Sequence, residues 1–324
     1  MKSLAQLLLI VTLNACSSGS VEDRDRTNSE EKQAPTNTTA LIVLGTIQDA
    51  GSPQIGCRKE CCLEQRKNPD PNRMVVSLGL FDAETKNSYL FEATPDITRQ
   101  VSQLNELTGN PAEKMPHGVF LTHAHIGHYT GLVYFGKEAI SSRELPVYAM
   151  PRMSSFLARN GPWNQLVSDS NIVLKPILSD IEVKLSSKLF VTPILVPHRD
   201  EFSETVGYII TGPKKKVLFI PDINKWHVWE KNICDLIRSV DYAFLDATFF
   251  DAAEINNRDI SEIPHPFVVE SFETFKNLKE KDRNKIHFTH FNHTNPIINL
   301  ESQQAKEVIK RGFNVAQFGQ VIEL

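Results

Sequence analysis

Three of the chain's 10 histidines fall in one stretch, LTHAHIGHYTGL, as His123, His125 and His128. They stand directly behind the apolar run GVFLT (118–122). Residues two apart on an extended chain face the same side, so the rings of His123 and His125 aim together. Gly127 lets the chain turn, and His128 approaches from another direction. Imidazoles converging at this spacing suit a borderline divalent ion such as zinc. Isolated histidines are mostly solvated or satisfied in a core, whereas a cluster at a strand end points to a metal.

The rest of the body supplies a frame for such a site. Apolar runs of strand length recur at 41–46, 74–81, 88–93, 118–122, 189–196, 206–211, 216–220, 242–246 and 286–290. Several are β-branched and bounded by Gly, Pro, Asn or Asp. Helical patterns are fewer, at about 97–107, 151–160, 227–239, 268–279 and 301–311, with Gly312 suited to the position just past the last of them. Strands with interspersed helices imply a layered α/β (α+β) fold, and the absence of a long linker implies one domain over 40–324. Hydrophobic residues make up 41% and charged residues 23%, enough to bury a core. A net charge of −4 gives no sign of a nucleic-acid partner. GPKKKV (212–217) reads as a solvated hairpin turn.

HAHIGH resembles the HxHxDH signature of the metallo-β-lactamase superfamily. The resemblance continues in order through His198 in VPHRDEF, Asp222 in VLFIPDINKW and His290 in IHFTHFNHTNP. It implies a four-layer αββα sandwich. In that pattern His123, His125 and His198 hold a first ion, Asp222 bridges, and His128 and His290 serve a second. LGTIQDAGSPQIGC, YLFEATPDI and FTHFNHTNP resemble the branch containing the pyrroloquinoline-quinone biosynthesis protein B family and the cyclic-phosphate phosphodiesterases. The chain departs from the pattern at Gly127, where the family has an aspartate that ligates the second ion. On this reading the second site keeps only His128, His290 and Asp222.

What the resemblance implies chemically follows from the metal. Zinc lowers the pKa of bound water from 15.7 to about 7, and the metal-bound hydroxide attacks a phosphodiester or ester bond. AFLDATFFD followed by His265 is similar to the tRNase Z segment in which a later histidine is the general acid, so His265 is the candidate proton donor. The plainer reading of His265 is a loop histidine between prolines. Asp246 either orients a ligand histidine or caps a strand end. Asp49, in TIQDAG, reads as a turn aspartate in a loop near the metals.

Cys57, Cys61 and Cys62 form GCRKECC. Three thiolates with one histidine make a closed tetrahedral zinc site. The phosphodiesterase relatives carry a structural zinc in this loop, with a fourth ligand at the position of His293. Their spacing is CxCxxC, whereas this chain has CxxxCC. A disulfide is the rival in an exported protein. Cys234 reads as a small buried apolar residue.

At the N-terminus a short apolar run, 4–13, precedes Leu13-Asn14-Ala15-Cys16. It is too short to span a bilayer. The sequence resembles a bacterial lipoprotein lipobox, which implies a signal peptide over 1–16 and acylation of Cys16. Residues 17–39 are polar and read as a disordered tether. The expectation is therefore an exported, membrane-anchored zinc hydrolase of a small-molecule substrate, holding one or two catalytic ions and one structural ion, with no nucleic acid. Iron and manganese are the alternative ions. The alternative functions are a lactone or ester hydrolase, an iron-dependent oxidative enzyme like the quinone-biosynthesis relatives, and a ligand-binding lipoprotein without catalysis.

Overall fold

The computed structural model describes residues 37–109, 111–256 and 259–324. The expected signal peptide with Cys16 and nearly all of the expected tether lie outside the described residues. Backbone order is already in place at Thr39, whose buried carbonyl accepts from Leu324 N.

The strands follow the chain as β1 (Ala40–Gly45), β2 (Ser77–Phe81), β3 (Ser88–Phe91), β4 (Gly118–Phe120), β5 (Leu145–Ala149) and β6 (Ile172–Pro176), then β7 (Val183–Lys184), β8 (Phe190–Leu195) and β9 (Val206–Thr211). After these come β10 (Lys216–Ile220), β11 (Tyr242–Asp246), β12 (Ile286–Thr289), β13 (Asn314–Val315) and β14 (Val321–Glu323). They form two seven-stranded sheets, ordered β14-β1-β2-β3-β4-β5-β6 and β13-β12-β11-β10-β9-β8-β7. Both mix parallel and antiparallel pairs: β3–β4–β5–β6 and β10–β11–β12–β13 run parallel, and the rest antiparallel.

Strand periodicity explains the layering. In β1, Leu41 and Val43 point into the core between the sheets, while Ala40, Ile42 and Leu44 point the other way. In β10, Val217 and Phe219 face inward, whereas Leu218 and Ile220 face outward. Strands apolar on both faces need cover on both sides. On the first sheet it comes from Ile97, Leu104 and Leu107 of helix Ile97–Leu107 and from Met153 and Leu157 of Pro151–Arg159. On the second, Ile233, Ile237, Phe272, Phe275, Ala305 and Val308 provide it. The result is the αββα sandwich expected above.

The long apolar strands fall where their patterns put them, and β9, β10 and β11 match to the residue. Gly312 follows the helix Gln303–Lys310 with φ +84°, a backbone conformation suited to glycine. Strands β5, β6, β7, β13 and β14 and the helices Glu60–Lys67 and Trp163–Ser168 are among the additions the patterns did not single out. No helix among the described residues is long and apolar enough to cross a membrane.

One buried histidine belongs to the fold rather than to the metal centre. His287, on β12, stacks on Phe244 with ring centroids 5.0 Å apart. Burial pushes its imidazole down to about 4 from an ordinary 6.5. Between those values the unfolded chain holds the extra proton, so stability falls as pH drops through this window. The shift is worth roughly 3 kcal/mol. Denaturant unfolding of chelator-treated protein should therefore show wild type losing on the order of 2–3 kcal/mol more than His287→Gln between pH 7 and pH 4; parallel profiles would refute the assignment.

Candidate metal centre

The candidate ligands reach one edge of the sandwich because strand ends deliver them there. His123 and His125 follow β4, His198 follows β8, Asp222 lies two residues past β10, Asp246 closes β11, and His290 follows β12. Parallel pairing of β10, β11 and β12 sends Asp222, Asp246 and His290 to the same side, outside the carboxyl ends of the strands.

Two groups share Asp222. In the first, His123 Nε2 lies 2.8 Å from His125 Nδ1, and His198 Nε2 lies 3.2 Å from that same nitrogen. Asp222 Oδ2 is 3.3 Å from His123 Nε2, 3.2 Å from His198 Nε2 and 3.8 Å from His125 Nδ1. In the second, His128 Nε2 and His290 Nε2 face Asp49 Oδ1 at 2.9 and 3.2 Å, with Asp222 Oδ2 3.9 Å from His128 Nε2. Within each of the groups His123/His125/His198/Asp222 and Asp49/His128/Asp222/His290, one ligand atom per residue lies within 4.8 Å of every other.

The opposite ring nitrogens are held from behind, which fixes each imidazole. Thr122 Oγ1 stands 2.9 Å from His123 Nδ1, and Asn224 Oδ1 stands 3.2 Å from His198 Nδ1. Glu92 Oε1 is 3.1 Å from His128 Nδ1 and accepts from Thr122 Oγ1 at 2.5 Å. Thr248 Oγ1 lies 2.9 Å from His290 Nδ1 and donates to Asp246 Oδ1 at 2.7 Å.

Charge balance tests whether these residues fit a cation. The side chains of Asp49, Glu92, Asp222 and Asp246 are 12%, 0%, 2% and 0% exposed. Among the described residues their charged partners are histidines alone, with no Lys or Arg. Buried carboxylates need paired positive charge. Without an ion the imidazoles must carry it. Burial opposes charging of His290, yet its hydrogen bonds to Asp246 and Asp49 and the charge of Asp222 push it up to about 9. Burial likewise opposes His128, but Asp49 and Glu92 lift it well above its ordinary value. Burial works to raise the Asp222 carboxyl, while the charges of His265 and His198 hold it well below the usual carboxylate range. His123 differs, being pushed well down by burial, so it offers a lone pair. A nitrogen- and oxygen-rich cage that demands positive charge fits a divalent ion.

His265 sits beside this centre. Its Nδ1 lies 3.1 Å from Asp222 Oδ1 and 2.9 Å from Asp246 Oδ2. Burial opposes protonation, but these two carboxylates raise the imidazole well above its ordinary value. His265 is a loop histidine between Pro264 and Pro266, and its ring is held by two acids. Asp246 also accepts from Ile223 N at 3.2 Å, bracing the turn that carries Asp222.

The cysteines form a separate cluster. Cys57, Cys61, Cys62 and His293 bring one ligand atom each within 4.8 Å of the others. A tetrahedron with ~2.3 Å metal–sulfur bonds separates its sulfurs by roughly 3.8 Å, which suits this spread. The described cysteines are free thiols. Cys57 Sγ accepts from Lys59 N at 3.4 Å, which lowers its thiol pKa, whereas burial pushes Cys62 up to about 11. Cys234 is only partly buried, packed against the core.

The structure corrects the reading of Asp49. It does sit in a turn, closed by Gly51 N donating to the Gln48 carbonyl at 2.9 Å, but its carboxylate points at His128 and His290. The second group consequently has four protein members rather than the expected His128, His290 and Asp222. Glu92, Thr122, Asn224 and Thr248 were also missed. Glu92 had one signal, as a charged residue inside the otherwise apolar SYLFEA.

Comparison with known proteins agrees with this architecture. A family model described as "Beta-lactamase superfamily domain" matches residues 87–291. The chain is 27% identical over 319 residues to Coenzyme PQQ synthesis protein B of Gluconobacter oxydans, covering 88% of this chain and 98% of that one. The structure is similar to zinc-bound PqqB from Methylobacterium extorquens, with a TM-score of 0.72 and 22% identity over 88% of this chain and 100% of that one. It is also similar to a diphosphatase of the PhnP family, with a TM-score of 0.61 and 20% identity over 88% and 97% of the respective chains. With a family model matched over more than half its length, the chain belongs to the beta-lactamase superfamily.

Proposed function

We propose that the protein is a zinc-dependent hydrolase of phosphodiester or ester bonds in a small-molecule substrate. The observation that carries this reading is Asp222. Its Oδ2 lies 3.2–3.9 Å from ring nitrogens of four histidines, and its Oδ1 lies 3.1 Å from a fifth, His265. His123, His125 and His198 would hold one ion, His128 and His290 a second, with Asp222 between them. Zinc held there would lower the pKa of a bound water and polarise the oxygen under attack. Cys57, Cys61, Cys62 and His293 would hold a further, structural ion away from the chemistry. The zinc named in the similar M. extorquens structure supports this choice of metal.

The chain's own residues supply the rest. Asp222 and Asp246 keep a proton on His265, whose Nε2 has no partner among the described residues and is free to pass a proton to a leaving alkoxide. Thr248 ties His290, Asp246 and His265 together, so the donor keeps its distance from the metal ligands. The likeness to a diphosphatase supports phosphorus esters as the substrate class. The likeness to Coenzyme PQQ synthesis protein B favours a second reading, an iron-dependent oxidative enzyme. On the N-terminal sequence alone, we also propose that the protein is exported and anchored by acylation of Cys16.

Chelation should abolish turnover of bis-p-nitrophenyl phosphate and zinc should restore it. No phosphodiester turnover by the zinc-loaded protein, with dioxygen uptake by the iron-loaded protein in the presence of an oxidisable substrate, would favour the second reading instead. His265→Gln should lower the rate on substrates with alkoxide leaving groups by about 10²–10⁴-fold, with p-nitrophenolate release much less affected. Equal losses on both substrates would remove the proton-donor role. Labelled palmitate should enter the full chain expressed in bacteria and not its Cys16→Ser variant; equal labelling of both would sink the anchor.

A further inference from the structure

We propose that Asp49 is a direct ligand of the second ion and that Gly127 is the notch in the wall that lets it reach there. The inference deepens the hydrolase reading and rests on it only for the presence of ions at the histidine centre.

The geometry of the second group is the first support. Asp49 Oδ1 approaches two ring nitrogens, His128 Nε2 at 2.9 Å and His290 Nε2 at 3.2 Å, and His128 Nε2 also lies 3.9 Å from Asp222 Oδ2. Both imidazoles are held from behind, by Glu92 and Thr248, so their Nε2 atoms are committed to the side where Asp49 lies. A tetrahedral zinc site takes four donors, and Asp49, His128, Asp222 and His290 provide one each.

The path of the chain is the second support. Thr46 O accepts from Phe291 N at 2.8 Å, and Gln48 N donates to Phe291 O at 2.8 Å. These bonds lace the segment after β1 to the residue beside His290. The next residue, Asp49, is therefore placed by backbone that the ligand's own neighbour holds.

Gly127 is the third. A Cβ at this position would lie 2.5 Å from Asp49 Cα and 2.9 Å from both its Cβ and Cγ. A side chain could swing aside, but a Cα cannot move without its loop. Any residue other than glycine at 127 thus competes with the Asp49 backbone for one volume. In the HxHxDH pattern this is the position of the aspartate, and here the carboxylate enters from a turn 79 residues upstream of His128 instead.

The test counts ions. Full-length protein is stripped with chelator, reloaded with zinc, separated from free metal and measured by elemental mass spectrometry. Cobalt replacement adds an absorption spectrum that reports coordination. Wild type should hold three ions per chain. Asp49→Asn and Asp49→Ala should each hold two, with affinity for the missing ion down by more than roughly 100-fold. Gly127→Ala, which deletes no ligand atom, should lose the same ion because its methyl drives residue 49 away. His128→Ala serves as the reference for loss of that site. Circular dichroism of the stripped proteins confirms folding, and Asp49→Asn preserves the side chain's shape. Three ions bound at unchanged affinity in both Asp49 variants would overturn the proposal, as would a wild type holding a single ion at the histidine centre. Full ion content without turnover would count against the hydrolase reading alone.

Discussion

Negative charge buried at one edge of the sandwich governs how everything around it is built. Asp49, Glu92, Asp222 and Asp246 are withdrawn from water, with no lysine or arginine among the described residues to meet them. An unpaired buried carboxylate costs several kcal/mol, so each must face a protonated imidazole or a cation. The fold accepts backbone strain to meet this demand. Glu92 and His290 both take positive φ, 80° and 62°, where residues with a Cβ rarely sit. Such conformations persist only when the surroundings over-determine them. Here the flanking strands β3 and β12 do so, each with buried partners on both sides.

The same charge divides labour among the histidines. His123, buried and pushed toward neutrality, offers a lone pair. His265, gripped by Asp222 and Asp246, holds a proton. Two residues of one type thus lean to opposite protonation states: burial and the charge of His128 outweigh Asp222 at His123, whereas Asp222 and Asp246 together outweigh burial at His265. Thr248 links the two carboxyl-terminal groups through one hydroxyl, touching His290, His265 and Asp246 at once.

Much of this could be read in the sequence because the periodic signals were strong. The two-residue spacing of His123 and His125 behind an apolar run fixed their common direction, and strands apolar on both faces fixed the layering. What escaped was set by contacts between distant segments. Asp49 looks like any aspartate before a glycine turn; only the lacing of Thr46 and Gln48 to Phe291 turns its carboxylate inward. Asn224 acts through one hydrogen bond to a ring nitrogen and Thr248 through one hydroxyl shared among three side chains, which leaves no trace in spacing. Strands β5 and β6 carry prolines and partly exposed faces, LPVYA and IVLKP, so their alternation is weak. The helix Glu60–Lys67 is mostly polar and buries little beyond Cys62 and Gln65.

The ligands come from both halves of the sandwich. His123, His125 and His128 follow a strand of the first sheet, whereas His198, Asp222 and His290 follow strands of the second. An ion coordinated there would be a rivet across the seam, adding to the side-chain packing and the backbone bonds, such as those of Thr46 and Gln48 to Phe291, that already join the layers. Because binding to the native state alone adds stability in proportion to the logarithm of free metal, a metal held there would add to the cohesion of the two layers. Removing the ion would leave the two layers free to part at that margin, within reach of proteases.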